Sequence, residues 1–69
     1  MKIKTLIEFA GVPKGTTGEA EVDHEATWSK EKVYKVLWDL PNFINVITGK
    51  PIYDWFNQKE FDDFLEVTQ

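Results

Sequence analysis

The sequence predicts a mainly β domain, a small barrel of five short strands with a short C-terminal α-helix. Three observations support this prediction. Apolar and polar side chains alternate along several segments, which is the pattern of strands with one buried face. Glycine and proline separate these segments, as they do in turns. Closure into a barrel is favoured because a short open sheet would leave exposed edges, and glycine-rich points allow sharp curvature.

The chain length indicates one domain, which we assign to residues 1–69. A chain this short buries only about 60% of the surface that its unfolded form exposes, so its stability is marginal. Ten aromatic residues (three Trp, two Tyr and five Phe) are the main means of building its core. Each of them can bury about 150–250 Å².

Five segments have the composition or the period of a strand. The clearest is residues 32–39, which are rich in β-branched and aromatic side chains and place Tyr34, Val36 and Trp38 on one face. The predicted strands, in chain order, are residues 2–9, 19–26, 32–39, 43–47 and 52–56. Between the first two, residues 11–18 hold three of the four glycines, which predicts a loop with positive φ angles.

One segment near the C-terminus has the spacing of a helix. Asn57 is a good N-cap, and Glu60 stands three residues later, which is close to a capping box. Phe61, Phe64 and Leu65 follow at positions i, i+3 and i+4 of one helical face. We therefore predict a helix over about residues 58–66. Since two turns cannot stand alone, we expect its phenylalanine face to pack on the sheet.

A resemblance to a known class of barrels supports the predicted fold. Residues 12–22, with the sequence VPKGTTGEAEV, resemble the glycine-rich turn and second strand of small SH3-like, KOW-type barrels. Residues 36–39 (VLWD) are similar to the V-x-W-D strand of small bacterial and mobile-element barrels, and residues 53–56 (YDWF), before an acidic helix, fit the same group. The resemblance covers residues 12–66 and implies an SH3-like barrel. It implies a fold more than a function, because many unrelated functions occur on this barrel.

The charge balance argues against a nucleic-acid partner. The chain has eight lysines, no arginine and twelve acidic residues, giving a net charge of −4. Nucleic-acid-binding proteins usually show a basic patch and use arginine on phosphates and guanine edges. In the glycine-rich loop only Lys14 is basic, and the loop leads into an acidic strand. The same balance argues against binding to anionic membranes.

Targeting signals are also lacking in the sequence. No stretch approaches the roughly 18 apolar residues of a transmembrane helix. The first residues include lysines but no apolar core of a signal peptide. The absence of cysteine fits a reducing compartment. We therefore expect a cytoplasmic protein.

The sequence offers no arrangement for catalysis or metal binding. His24 is the only histidine, and on a strand it would point away from Asp23 and Glu25, whereas a metal site needs three or four convergent ligands. We find no nucleophile beside a base. The glycine-rich segment lacks the Lys-Ser/Thr ending of a phosphate-binding loop. We predict a protein that is not an enzyme and that uses no metal or cofactor.

Four acidic residues alternate along the second predicted strand and would share one face: Glu19, Glu21, Asp23 and Glu25. In one interpretation this is a solvated face, paired with Lys32 and Lys35 of the next strand. In the other it is a negative stripe for a basic partner. Residues two apart on a strand are about 7 Å apart, close to the phosphate repeat of nucleic acid.

The aromatic residues outside the clearest strand suggest a surface for a protein partner. Exposed tryptophan and tyrosine beside carboxylates form the kind of amphipathic groove that anchors peptides. The candidate partner-binding residues are Trp28, Asp39, Tyr53, Asp54 and Trp55. The sequence does not decide which of Trp28, Trp38 and Trp55 are exposed.

We therefore predict a small acidic protein-interaction module or accessory protein. The alternatives are an acidic mimic of nucleic acid that blocks a basic cleft, and a KOW-like module that binds nucleic acid directly. A homodimer is a further hypothesis, because one short segment concentrates apolar side chains that need cover. These are Phe43, Ile44, Val46 and Ile47.

Overall fold

The computed structural model describes residues 1–26, 30, 32–41, 44 and 47–69. This part of the chain is mainly β, with five antiparallel strands in one curled, half-barrel sheet and a short C-terminal helix. The elements are β1 (Lys2–Thr5), β2 (Thr17–Val22), β3 (Val33–Trp38), β4 (Asp54–Asn57), α1 (Gln58–Phe64) and β5 (Leu65–Val67). The strand order is β4-β3-β2-β1-β5. Within the described ranges, no helix is both long enough and apolar enough to cross a bilayer.

One face of the sheet, the inner face, packs against the rest of the chain. Tyr34, Val36 and Trp38 of β3 lie on it and are at most 7% exposed, which confirms their predicted shared face. The antiparallel register places Ala20 opposite Val36 and Gly18 opposite Trp38, so small residues on β2 make room for large ones on β3. The buried cluster consists of Ile3, Val12, Ala20, Tyr34, Val36, Trp38, Phe56, Phe61 and Leu65.

The loop after β1 contributes to this core through a tight turn. Phe9 and Val12 exchange two backbone hydrogen bonds, of 3.1 and 2.7 Å, around Ala10 and Gly11. The φ angles of these central residues are 44° and 83°, as a type I′ turn requires. Val12 is fully buried, and the Phe9 ring contacts the Trp38 ring edge-on, with centroids 5.8 Å apart.

The first predicted strand is wrong beyond Thr5. The Thr5 hydroxyl donates to the carbonyl of Ile7 (2.6 Å) and accepts from its N–H (3.3 Å), so the chain turns there. Ile7 is exposed as a result, although alternation placed it with the buried Ile3. A side-chain hydrogen bond that competes with the ladder ends this strand early.

The helix forms where the sequence predicts it. The Asn57 side chain accepts from the N–H of Glu60 (2.8 Å), and the Glu60 carboxylate accepts from the N–H of Asn57 (3.1 Å), which confirms the capping box. The Phe61 ring stacks on Tyr34 with centroids 4.1 Å apart. The helix ends at Phe64, two residues before the predicted end, because Leu65 is already extended and begins β5.

The described residues form five strands, the number predicted, but one of the five is not a predicted strand. No strand covers the described residues of the predicted segment 43–47; Ile44 forms an isolated bridge with Pro51, and residues 43, 45 and 46 lie outside the description. The fifth strand is β5, which pairs antiparallel with β1. The helix between β4 and β5 contacts both of these edge strands. A closed barrel would need β4 and β5 to pair, and in the described sheet they are its two edges.

Candidate functional site

The second face of the sheet, the outer face, is solvated and carries the candidate site. Side chains that alternate with the core residues of β3 and β4 point to this face. Among them Lys35 and Trp55 are partners in the register, so their Cβ atoms stand about 4.5–5.5 Å apart. Tyr53 immediately precedes β4 and contacts both. We call Lys35, Tyr53 and Trp55 the outer cluster.

Trp55 is held in one orientation although it is 47% exposed. Its indole Nε1 donates to Oδ2 of Asp23 at 2.9 Å. Asp23 directly follows β2, and β3 lies between β2 and β4 in the sheet. Neighbouring strands are about 4.8 Å apart, so the Trp55 indole must extend across β3 to reach Asp23. The backbone N–H of Asp23 donates to the carbonyl of Val33, which locates the crossing. An indole that crosses β3 beside Val33 helps to explain why Val33 is only 2% exposed although it lies on the solvated face.

Tyr53 and Lys35 complete the outer cluster. The Lys35 Nζ lies 4.1 Å from the centroid of the Tyr53 ring, within the range of a cation–π interaction. The Tyr53 and Trp55 rings are tilted by 53°, with centroids 6.3 Å apart. The Lys35 ammonium therefore occupies one face of the Tyr53 ring. The Trp55 indole lies between Asp23 and Tyr53.

Asp23 acts as the fixed acceptor for Trp55. Its Oδ1 accepts the backbone N–H of Glu25 at 3.0 Å, a local turn that orients the carboxylate. The Trp55 indole donor, followed by the Glu25 N–H, holds the pKa of Asp23 below its ordinary value. The carboxylate is thus ionised at neutral pH and holds the indole by a charge-assisted hydrogen bond.

The structure brings together only part of the predicted partner-binding set. Tyr53 and Trp55 are neighbours on the outer face. Asp54 is turned to the inner face, where its carboxylate accepts the Trp38 indole N–H at 2.6 Å. Asp39 follows β3 and accepts the hydroxyl of Thr17 at 2.8 Å. Trp28 lies outside the described residues.

The predicted acidic strand is wrong beyond Val22, where β2 ends. Glu19 and Glu21 lie on the exposed face of β2, Asp23 directly follows the strand, and Glu25 lies in the turn after it. The four acids therefore do not form one strand face, and the strand spacing of about 7 Å on which the argument for nucleic-acid mimicry depends applies only to Glu19 and Glu21.

Glu19 is paired within the chain. Its carboxylate lies 3.2 Å from Lys2 Nζ and 3.3 Å from the N-terminal ammonium. The hydrogen bond from Lys2, and then that from the N-terminus, lower the pKa of Glu19. Glu21 stands opposite Lys35 in the register, one of the cross-strand pairings expected from the sequence.

Two contacts of the site are not predicted by the sequence. Its alternation places Asp23 in the acidic stripe, although the partner of Asp23 is Trp55, 32 positions later. It also predicts that Lys35 pairs with acids, although the Lys35 ammonium lies over the Tyr53 ring as well. No local signal marks either contact, because both depend on which strands become neighbours.

The described residues include no cluster of three or more His, Cys, Asp or Glu side chains arranged to hold a metal ion. Comparison with protein-family models returned no match. Comparison with curated proteins returned none either. No solved structure matches the chain. The functional argument therefore depends on the outer face itself.

Proposed function

We propose that this chain is a non-catalytic protein-interaction module that binds a partner protein through the outer cluster. The observation that carries the proposal is Trp55, which is nearly half exposed and yet tied by its indole to Asp23. Tryptophan and tyrosine are enriched among the residues that contribute most to protein–protein binding. An indole that is already ordered loses little conformational entropy when a partner covers it.

The surroundings of Trp55 support binding rather than folding as its role. Its neighbour Phe56 points to the inner face and is 5% exposed, so the core at this position is filled from the other side of β4. The Tyr53 ring extends the aromatic area beside Trp55, and the half-buried Leu37 of the neighbouring strand β3 lies on the same face. Carboxylates and Lys35 surround this area, as a polar rim surrounds the centre of an interface.

We also propose that the curled sheet is the SH3-like, KOW-type barrel that the sequence resembles. The last strand returns to pair with the first, and α1 spans the space between the two edge strands, which supports this assignment. An experimental structure should then show the sheet curling around the core until α1 closes it. A flat sheet with widely separated edges would contradict this proposal.

Affinity capture from a cell extract tests the docking role, with the whole chain and two variants as bait. Trp55→Ala removes the central aromatic side chain. Val67→Ala is the matched control, because Val67 is exposed to a similar extent (50%, against 47% for Trp55) but lies on β5, at the other end of the strand order. We expect the wild type and Val67→Ala to retain the same specific protein, and Trp55→Ala to lose it.

Circular dichroism on the same samples is the control for folding, and we expect it to show that Trp55→Ala is folded, which would assign the loss of capture to the surface. The proposal is wrong if folded Trp55→Ala captures the same protein as the wild type. It is equally wrong if Val67→Ala loses capture to the same degree.

A further inference from the structure

We infer that the free edge of β4 binds an extended, basic segment of the partner protein as an additional antiparallel strand. This inference rests on the proposed docking role and specifies how the partner is held. The main-chain groups of Trp55 supply the hydrogen bonds, and its side chain supplies the contact on the outer face.

The backbone N–H and carbonyl of Trp55 point away from β3. The N–H of Asp23 donates to the carbonyl of Val33, and the N–H of Asp39 donates to the carbonyl of Thr17. The odd-numbered residues of β3, including Lys35, therefore direct their backbone groups to the β2 side. These residues therefore make no backbone hydrogen bonds to the residues that stand opposite them on β4. Trp55 stands opposite Lys35, so it belongs to such a non-hydrogen-bonded pair.

The N-cap of α1 independently indicates that the backbone groups of Trp55 face away from β3. The N–H of Asn57 donates to Glu60 Oε1 at 3.1 Å, so it points out of the sheet toward α1. Backbone groups two residues apart on a strand point to the same side. The N–H and carbonyl of Trp55 thus face the free edge, and neither has a hydrogen-bond partner among the described residues. Among the described residues, α1 begins directly after Asn57, so its first turn lies at the end of this edge.

The charges at this edge favour a basic segment. Because Glu60 binds the outward N–H of Asn57, its exposed carboxylate lies at the free edge of β4. A residue added opposite Asn57 would stand beside that carboxylate. A residue added opposite Trp55 would stand on the outer face, and a lysine or arginine there is long enough to lie over the exposed indole. The segment should therefore carry two basic residues separated by one residue.

A second copy of this chain fits the edge less well. Strand β4 (Asp54–Asn57) contains no lysine or arginine, so a β4–β4 pair would offer Glu60 no cation. Each copy also has a net charge of −4. Attraction between opposite charges and repulsion between like ones both favour a basic partner over self-association.

A designed peptide tests this inference on the intact chain. The probe is the acetylated and amidated heptapeptide TVKVKVT, whose two lysines are separated by one residue and whose ends cannot contribute charge. Binding is followed by amide chemical shifts and by hydrogen exchange of the Trp55 N–H. We expect the peptide to shift the Trp55 resonances and to slow exchange of its N–H. The acidic peptide TVEVEVT should bind at least about tenfold more weakly.

Two methylated peptides test the direction of the hydrogen bonds. With the lysine side chains on the outer face, the lysine N–H groups face β4 and that of the central valine faces away. Methylation of the backbone nitrogens of both lysines should weaken binding by about tenfold. Methylation of the central valine nitrogen is the matched control and should leave binding nearly unchanged.

Unchanged exchange at Trp55 with saturating peptide would overturn the inference, as would equal effects of the two methylations. Protection of the Trp55 N–H that rises with protein concentration, without peptide, would also overturn it and assign the edge to a second copy. If Trp55→Ala abolishes capture while the peptide leaves the Trp55 N–H unprotected, the inference of strand addition is wrong. The proposal that a partner docks on the outer cluster is then retained.

Discussion

Single residues in this chain have roles that their position in the sequence does not reveal. Asp54 lies between two aromatic residues of an apparent surface motif, yet it accepts the indole N–H of Trp38 at the edge of the core. Gly18 belongs to a glycine-rich run, yet it lies in β2. A Cβ at Gly18 would lie 2.6 Å from the carbonyl oxygen of Leu37, so this glycine is required by the close approach of β3.

The Asp54 contact predicts a stability effect rather than a binding effect. Asp54→Ala leaves the indole N–H of Trp38, which is 3% exposed, without its acceptor. We expect the free energy of unfolding to fall by about 1–3 kcal/mol, the cost of an unsatisfied buried donor. Asp54→Asn keeps an acceptor oxygen and should recover much of the loss. Urea unfolding measures both, and identical stabilities of Asp54→Ala and the wild type would contradict the assigned contact.

The Asp23–Trp55 hydrogen bond predicts an acid-induced release of the indole. The pKa of Asp23 is below its ordinary value of 3.8 in the folded chain, chiefly because the ionised form accepts from Trp55. The stabilisation is therefore fully present above pH 3.8 and is lost as the pH falls through the lower, folded-state pKa. The Trp55 indole N–H resonance should stay constant at neutral pH and move only in this acid range.

Asp23→Asn is the control for this titration, because asparagine keeps an acceptor oxygen but has no proton to gain. Its Trp55 indole resonance should not follow the acid transition of the wild type. A transition of the same size and midpoint in Asp23→Asn would show that another group releases the indole.

Among the elements, α1 is the one that the sequence predicts best. Its capping box and its phenylalanine spacing are local signals, and both are present in the structure. Strand β5 (Leu65–Val67) is too short for its period to be recognised, and it exists because β1 offers it an edge. The predicted ends of β1 and β2 are wrong for a different reason, because a side-chain hydrogen bond ends β1 and a turn follows β2 although the alternation of the sequence continues.

The N-cap of α1 predicts how much this element contributes to stability. Asn57→Ala removes the acceptor for the Glu60 N–H and should lower the free energy of unfolding by about 1 kcal/mol. Asn57→Asp retains a capping oxygen and should stay close to the wild type. Urea unfolding of the two variants makes the comparison, and equal losses would show that the side-chain cap contributes little.

At the scale of the whole molecule, the mainly β class, four of the five described strands and the C-terminal helix could be predicted from the sequence. The inner face of β3 and the outward position of Trp55 beside Tyr53 follow from alternation once the strands are known. The strand order could not be predicted, and it is what places Asp23 against Trp55 across β3. The site therefore depends on non-local pairing, which no short motif in the chain encodes.

The central claim is that Trp55 is ordered for binding while its neighbour Phe56 serves the fold. Urea unfolding of Trp55→Ala and Phe56→Ala measured side by side tests it most directly. We predict a loss of about 3–5 kcal/mol for Phe56→Ala, the usual cost of removing a buried phenylalanine ring. For Trp55→Ala we predict a loss of about 1 kcal/mol, close to that of one hydrogen bond. A loss for Trp55→Ala as large as that for Phe56→Ala would make Trp55 a core residue and contradict the account.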